Sequence, residues 1–367
     1  MNTELLTTVM KNPSLFLAGP GTARIQDRPV PTISDPHDVI VRVCFVGVCG
    51  SDVRRGDAVH FWKHGGIQTP VSDPLVMGHE ASGTICAIGS AVTSVKVGDR
   101  VAIEPGHPCR RCTACKAGSY NLCPDIKFAS APPDTHGLLT KFWKAPEDFV
   151  YKVSDETGLD EEVLVEPLSV AVHTSRLAGI RPGDTVVIIG SGTIGLLSGA
   201  VARIFGAHRV ILLDIAGEKL RFAAEYLGAE TRLLDMEASP EESSEAVLSQ
   251  FDLHDRVDVV IEASGAEASV QLGIYLLRLG GSYVQTGVGK PKLSIPMLAL
   301  SEKELRVRGC FRYGAGDFAL AVQLLDRRMV DLKPLISSVT PFERAPEAWD
   351  KTGRGEGIKN LVQGVLD

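Results

Sequence analysis

The chain has 367 residues, 44% of them hydrophobic and 23% charged, a balance that predicts a globular protein of two domains. Its formal net charge is −7, which argues against nucleic acid or an anionic membrane as the main partner. Of its eight cysteines, four fall in one short loop, a clustering that reads as metal binding rather than disulfides in a cytoplasmic chain.

In chain order, the opening MNTELLTTVMKN carries an early acid and no basic stretch before an apolar core, so it does not read as a secretory signal. The closing GVLD is no retention or peroxisomal address. Cytoplasm is the expectation. Asp38–Cys49, DVIVRVCFVGVC, is built from strand formers. Val76–Glu104 sets Gly78, Gly83, Gly89 and Gly98 between apolar runs, a turn-rich β pattern. Cys109-x2-Cys112-x2-Cys115-x7-Cys123 follows. Four thiolates in a fifteen-residue loop can close a tetrahedral zinc site with no open position, which staples a lobe and does no chemistry. Four unliganded thiols in one exposed loop, the alternative, would be reactive.

From Leu164 the rhythm becomes strand–helix alternation. Helices are expected at Glu166–Leu177, Glu218–Leu227, Glu241–Phe251 and Ala268–Leu279. Strands are expected at Thr185–Ile189, Arg209–Leu213, Val257–Ile261 and Ser282–Gly287. This alternation predicts a parallel, doubly wound sheet. After about Leu305 the chain is expected to return to the first domain, with a helix over Gly316–Arg328 and strand-like pieces at Val330–Thr340 and Gly357–Val365. The expected division is 1–168, 169–304 and 305–367, the middle part an insertion in a β-rich domain.

Thr185–Asp214 organises that insertion. An apolar strand runs into Gly190, Gly192 and Gly195, spaced G-x-G-x-x-G, before a helix. The first glycine permits the tight turn, the second lets backbone approach a pyrophosphate, and the third lets helix and strand pack. Amide groups at the helix start meet phosphate charge. Asp214 lies 24 residues after Gly190, where an acid bonds the ribose 2′-hydroxyl and repels a 2′-phosphate, favouring NAD over NADP. Thr185–Ala202 carries no charge over 18 residues, near the length of a membrane span, but four glycines interrupt it and Arg203 follows. A buried strand and helix explain the run better.

Gly78-His79-Glu80-x2-Gly83-x5-Gly89-x2-Val92 resembles the signature of the zinc-containing alcohol dehydrogenases, in the medium-chain dehydrogenase/reductase superfamily. Gly47-Val48-Cys49-Gly50-Ser51-Asp52 resembles that family's first-ligand motif. The four-cysteine loop, Glu166-Pro167-Leu168-Ser169 and the nucleotide unit follow in the family's order, so the likeness covers nearly the whole chain. It implies an α/β plus β architecture: a Rossmann doubly wound parallel sheet inserted in a GroES-like β-rich catalytic domain. Within the family the chain resembles the sorbitol/xylitol dehydrogenase branch in His60–Gly65, in Glu166 where simple alcohol dehydrogenases place a zinc-binding Cys, and in Gly309–Tyr313. Gly314–Phe318 with Gly357–Lys359 is most similar to fungal xylitol dehydrogenases, the D-xylulose reductases.

The resemblance implies a catalytic zinc held by Cys49, His79 and Glu80, with Glu166 beside it holding water and substrate. It implies a structural zinc on Cys109, Cys112, Cys115 and Cys123, and Ser51, with His60, as proton carriers. Phe61, Glu166, Arg312 and Tyr313 would meet the substrate. Gly190, Gly192, Thr193, Ile194, Gly195, Asp214, Lys219, Thr286, Gly287, Val288, Cys310, Phe311 and Arg312 would meet NAD. The expected reaction is oxidation of a polyol to a ketose, xylitol to D-xylulose foremost, by a cytoplasmic homotetramer with no nucleic-acid or membrane partner. L-Arabinitol 4-dehydrogenase and sorbitol dehydrogenase remain open. So does a non-catalytic NAD(P)H-binding relative, against which the presence of Cys49, His79 and Glu80 speaks. Without the resemblance, Arg312 reads as a surface ion-pair partner and Tyr313, Phe61 and Trp62 as packed aromatics. One segment departs from the branch. Arg54–Val59, RRGDAV, lengthens the chain by about five or six residues, and its charges predict a solvated, outward loop.

Overall fold

The computed structural model of the protein describes residues 11–53, 73–132 and 135–366. They form two compact units. One comprises 11–53, 73–132, 135–166 and 314–366, the other 167–313.

In the first unit, the β-branched run Asp38–Gly47 becomes the central strand of a seven-stranded sheet. Val39, Val41 and Val43 are buried in a core with Leu15, Leu17, Met77 and Trp349. The strand pairs antiparallel with Glu80–Ile88, Phe142–Pro146 and Lys359–Gln363. The sheet continues through Arg100–Ile103 to Val150–Lys152 on one side, and to Ile336–Thr340 on the other. That last strand runs parallel to Lys359–Gln363. Thr22–Arg28, Asn12–Gly19 and Leu75–Val76 make a smaller three-stranded sheet. The register sets Gly47 opposite Glu80, which brings two site motifs to one end of the sheet.

The second unit is a six-stranded parallel sheet. Its order is Glu230–Leu233, Arg209–Asp214, Thr185–Ile189, Val257–Glu262, Leu277–Gln285, Arg306–Gly309. The order reverses beside Thr185–Ile189, as in a doubly wound sheet. Val187, Ile189, Ile211, Leu213 and Val260 fill its core. Helices Thr193–Ile204, Gly217–Leu227, Pro240–Gln250 and Glu267–Leu276 connect the strands. The uncharged run resolves into strand Thr185–Ile189 and helix Thr193–Ile204. Among the described residues no helix is long and apolar enough to cross a membrane.

The units divide at Glu166/Pro167 and Tyr313/Gly314 rather than at 168/169 and 304/305. Arg306–Gly309 lies beside Leu277–Gln285 in the parallel sheet, so the return to the first unit comes later than expected. Its four residues, Arg-Val-Arg-Gly, are exposed and lack the apolar run that marks a buried parallel strand. The helix expected to reach Leu279 ends at Leu276, because Leu277 adopts extended backbone and opens the next strand.

Candidate metal centres and nucleotide site

Glu80 opens its strand opposite Gly47, His79 precedes it, and Cys49 lies in the turn before helix Gly50–Val53. One ligand atom from each of Cys49, His79 and Glu80 lies within 4.8 Å of the others. Thiolate, imidazole and carboxylate are all zinc donors, and three protein ligands leave a fourth position open. A Cβ at position 47 would lie 2.0 Å from Glu80 Oε2, so glycine makes room for the carboxylate. The donor set therefore fits the metal that the sequence implies.

Two neighbours escaped the sequence reading as site residues. Asp52, 1% exposed, accepts from the Cys49 amide at 3.0 Å, and its Oδ1 lies 3.7 Å from His79 Nδ1. It steadies the ligand loop and faces the imidazole, as an outer-shell carboxylate does. Lys359, 3% exposed, donates to both oxygens of Glu80 at 2.8 and 2.7 Å and to the Val48 carbonyl at 3.2 Å. A carboxylate has about four lone-pair sites, enough for this ammonium and a metal together. Burial works against the charged Lys359, but Glu80, Cys49 and Glu166 outweigh it and raise its pKa. Glu166 stands in the first turn of helix Val165–Ala178, 6% exposed. Ser51 is half-buried within Gly50–Val53. Phe61, His60, Trp62 and the extra segment Arg54–Val59 lie outside the described residues.

The sulfurs of Cys109, Cys112, Cys115 and Cys123 lie within 4.8 Å of one another. The Cys112–Cys115 and Cys109–Cys115 separations are 3.5 and 4.0 Å. Zinc–sulfur bonds of about 2.3 Å in a tetrahedron set sulfurs roughly 3.8 Å apart. All eight cysteines are free thiols. Amides of Cys112 and Cys115 donate to the sulfurs of Cys109 and Cys112, and the Cys109 amide to Cys123, so the backbone is shaped around the thiolates.

In the second unit, Gly190 leaves its strand with φ +104°. A Cβ on Gly195 would lie 1.8 Å from the Gly190 carbonyl, whereas one on Gly192 would meet nothing within 4 Å. Gly195 thus serves close packing, and Gly192 keeps an open face at the start of the helix that Thr193 and Ile194 begin. Asp214 accepts from the amides of Ser191 at 2.5 Å and Ala216 at 2.9 Å, which fixes it beside the glycine turn. An apolar cavity of about 140 Å³ adjoins it, lined by Ile189, Gly190, Leu213, Ile215 and Met236. Lys219 stands in the first turn of Gly217–Leu227. Thr286 and Gly287 donate their amides to the Glu262 carbonyl, and Val288 follows, 51% exposed. Thr174 Oγ1 lies 3.1 Å from Thr286 Oγ1 and donates to Cys310 Sγ at 3.3 Å. Arg312, at φ +57°, lays its guanidinium over the Phe311 ring at 4.5 Å, and Tyr313 is buried.

Residues 35–155 match the alcohol dehydrogenase GroES-like domain, and residues 193–327 match zinc-binding dehydrogenase. D-xylulose reductase A of Aspergillus niger is 48% identical over 359 residues, 98% of each chain. D-xylulose reductase A of Aspergillus oryzae is 48% identical over 357 residues, 97% of each chain. Among solved structures, an oxidoreductase/dehydrogenase of unknown specificity from Escherichia coli superposes with a TM-score of 0.88 at 30% identity, covering 97% of this chain and 100% of that one. The L-idonate 5-dehydrogenase of Escherichia coli superposes with a TM-score of 0.86 at 26% identity, covering 96% and 98%.

Proposed function

The chain belongs to the zinc-containing alcohol dehydrogenases, and we propose that within them it oxidises a polyol to a ketose with NAD, xylitol to D-xylulose foremost. The trio Cys49, His79 and Glu80 within 4.8 Å carries the enzyme reading. The 48% identity to D-xylulose reductases over nearly the full length supports the substrate.

When bound, zinc supplies Lewis acidity toward a substrate oxygen and NAD accepts the hydride. Cys49, His79 and Glu80 would hold the ion, and the four-cysteine loop a second, structural one. Cys49 thiolate and Glu80 carboxylate place two negative charges there, of which Lys359 offsets one. Asp52 faces the His79 ring and fixes the Cys49 loop. Glu166 offers acceptors to the hydroxyls of a polyol, and Ser51 passes the hydroxyl proton toward solvent. Arg312, Tyr313 and Phe61 are the residues that the family resemblance assigns to substrate contact. At the other site, Gly192 admits the pyrophosphate, the apolar cavity takes the adenine, and Asp214 takes the ribose hydroxyls and disfavours NADP. A cytoplasmic homotetramer with one catalytic and one structural zinc per chain completes the reading, and metal analysis with light scattering checks the last two points.

The test is initial rates on xylitol, L-arabinitol, sorbitol and ribitol with NAD and with NADP. Xylitol with NAD should give the highest kcat/KM. A higher value for L-arabinitol or sorbitol would move the substrate assignment. No reduced cofactor from any polyol in a zinc-loaded protein would sink the enzyme reading.

A further inference from the structure

Glu262 ends the strand Val257–Glu262 and is fully buried, yet neither metal centre uses it. Its carboxylate accepts from the Ser264 amide at 2.8 Å, from the Ser264 hydroxyl, from the Gly265 amide at 2.9 Å and from Gln285 Nε2 at 2.6 Å. Its carbonyl accepts from the amides of Thr286 at 2.9 Å and Gly287 at 2.8 Å. Gln285 is held in turn, giving its Nε2 to the Gly287 carbonyl at 2.7 Å and receiving the Tyr283 hydroxyl at 2.6 Å. One acid therefore ties together two loops, 263–266 after its own strand and 286–289 after Leu277–Gln285.

The loops approach too closely for side chains. A Cβ on Gly287 would lie 2.4 Å from the Gly265 amide and 2.7 Å from Glu262 Oε2. One on Gly289 would lie 1.8 Å from the Gly265 carbonyl. The carboxylate fills what space remains, and every partner it has is a donor.

Position gives this knot a role. Both loops leave the carboxyl ends of parallel strands beside the reversal in strand order, where doubly wound sheets hold dinucleotides. Ser264 lines the same cavity as Gly190 and Asp214. Thr286–Val288 follow a strand three places along the sheet from Asp214, roughly 14 Å at about 4.8 Å per strand. With Asp214 at the adenosine ribose, that distance reaches the nicotinamide end.

We propose that Glu262 is a positioning residue for the nicotinamide half of the cofactor, fixing loop 286–289, against which the ring rests, to the more distant loop 263–266. The proposal rests on the NAD reading above. It needs an acceptor without hydrogens. A glutamine in its place would turn an NH2 group toward the Gly265 amide or the Gln285 amide, setting donor against donor.

The experiment compares Glu262→Gln with the unsubstituted zinc-loaded protein in binding NADH and ADP-ribose, which lacks the nicotinamide. The variant should lose about tenfold in NADH affinity, about 1.4 kcal/mol, with less than about twofold change for ADP-ribose. Equal losses for both ligands would make the role merely structural and overturn the proposal. Unchanged NADH affinity in a folded variant would also overturn it. If Glu262→Gln does not fold, Gln285→Ala removes one donor and is read by the same two ligands, with a loss of about threefold expected for NADH alone and equal or absent losses again decisive against it. An unsubstituted protein that binds neither ligand would overturn the NAD reading itself, and this proposal with it.

Discussion

Lys359 and Glu80 meet across 279 residues of sequence with side chains 3% and 1% exposed. Removing one partner of a buried ion pair costs about 3–5 kcal/mol, because the other charge is stranded. Lys359→Met should therefore destabilise the metal-free protein by about 3 kcal/mol. The zinc-loaded protein should lose less, since the ion then faces Glu80. Denaturant unfolding with and without chelator reads both, and equal losses would take Glu80 out of the metal site. The same distance explains what the sequence hid. Cys49, His79 and Glu80 sit in short local motifs, whereas Lys359 meets Glu80, and Asp52 meets His79, only once the chain has folded. Asp214's position at a strand end beside the glycine turn was legible because it lies at a fixed offset from Gly190. Asp214→Ala should lower kcat/KM for NAD and raise the NADP/NAD ratio by about tenfold or more. An unchanged ratio would remove Asp214 from the cofactor site.

At the scale of elements, the four-cysteine loop is joined to the sheet through an acid. Tyr120, in the turn Tyr120–Leu122 that leads into Cys123, donates to Glu104 Oε1 at 2.5 Å, and Tyr151 donates to Oε2 at 2.9 Å. Burial raises the Glu104 pKa from 4.5 to about 7 despite both hydroxyls. The folded state thus holds this proton more tightly than the unfolded chain. Its contribution to stability is full below pH 4.5, fades as pH rises to about 7, and is constant above. Glu104→Gln stays neutral throughout, so relative to the parent it should be more stable at pH 8 than at pH 5. Melting temperatures of both across that range provide the check; a constant difference would place the titration elsewhere. Cys112→Ser removes one of the four thiols proposed to hold the structural zinc. It should lose one zinc per chain and lower Tm while the other ion stays bound. Retention of both ions would end the structural assignment. The clustering of the four sulfurs was legible because these cysteines are neighbours in sequence. The edge strand Arg306–Gly309 was not, because pairing on one side and exposed arginines leave no apolar run.

For the whole molecule, the four inner strands of the parallel sheet were legible, since Arg209–Asp214, Thr185–Ile189, Val257–Glu262 and Leu277–Gln285 each carry an apolar run and a helix follows each, whereas Glu230–Leu233 and Arg306–Gly309 at its edges were not. The first unit was harder to read, because it is assembled from distant stretches. Its strand Lys359–Gln363 lies between Asp38–Gly47 and Ile336–Thr340. This arrangement has a consequence for synthesis. A ribosome adds about 5–20 residues per second, and units fold as they emerge. Residues 167–313 leave before Lys359–Gln363 exists, so the nucleotide-binding unit has all its strands while Phe45–Gly47, already able to pair with Glu80–Ser82, still lacks its second partner. Until then Glu80 lacks the Lys359 ammonium. A nascent chain stalled after position 350 should resist protease across 167–313 and remain open to it around Asp38–Gly47, and release of the last residues should close that difference. The Lys359–Glu80 pair is thus joined late in translation, and a message truncated near its end would yield a chain that has every strand of the parallel sheet but in which Glu80 lacks Lys359.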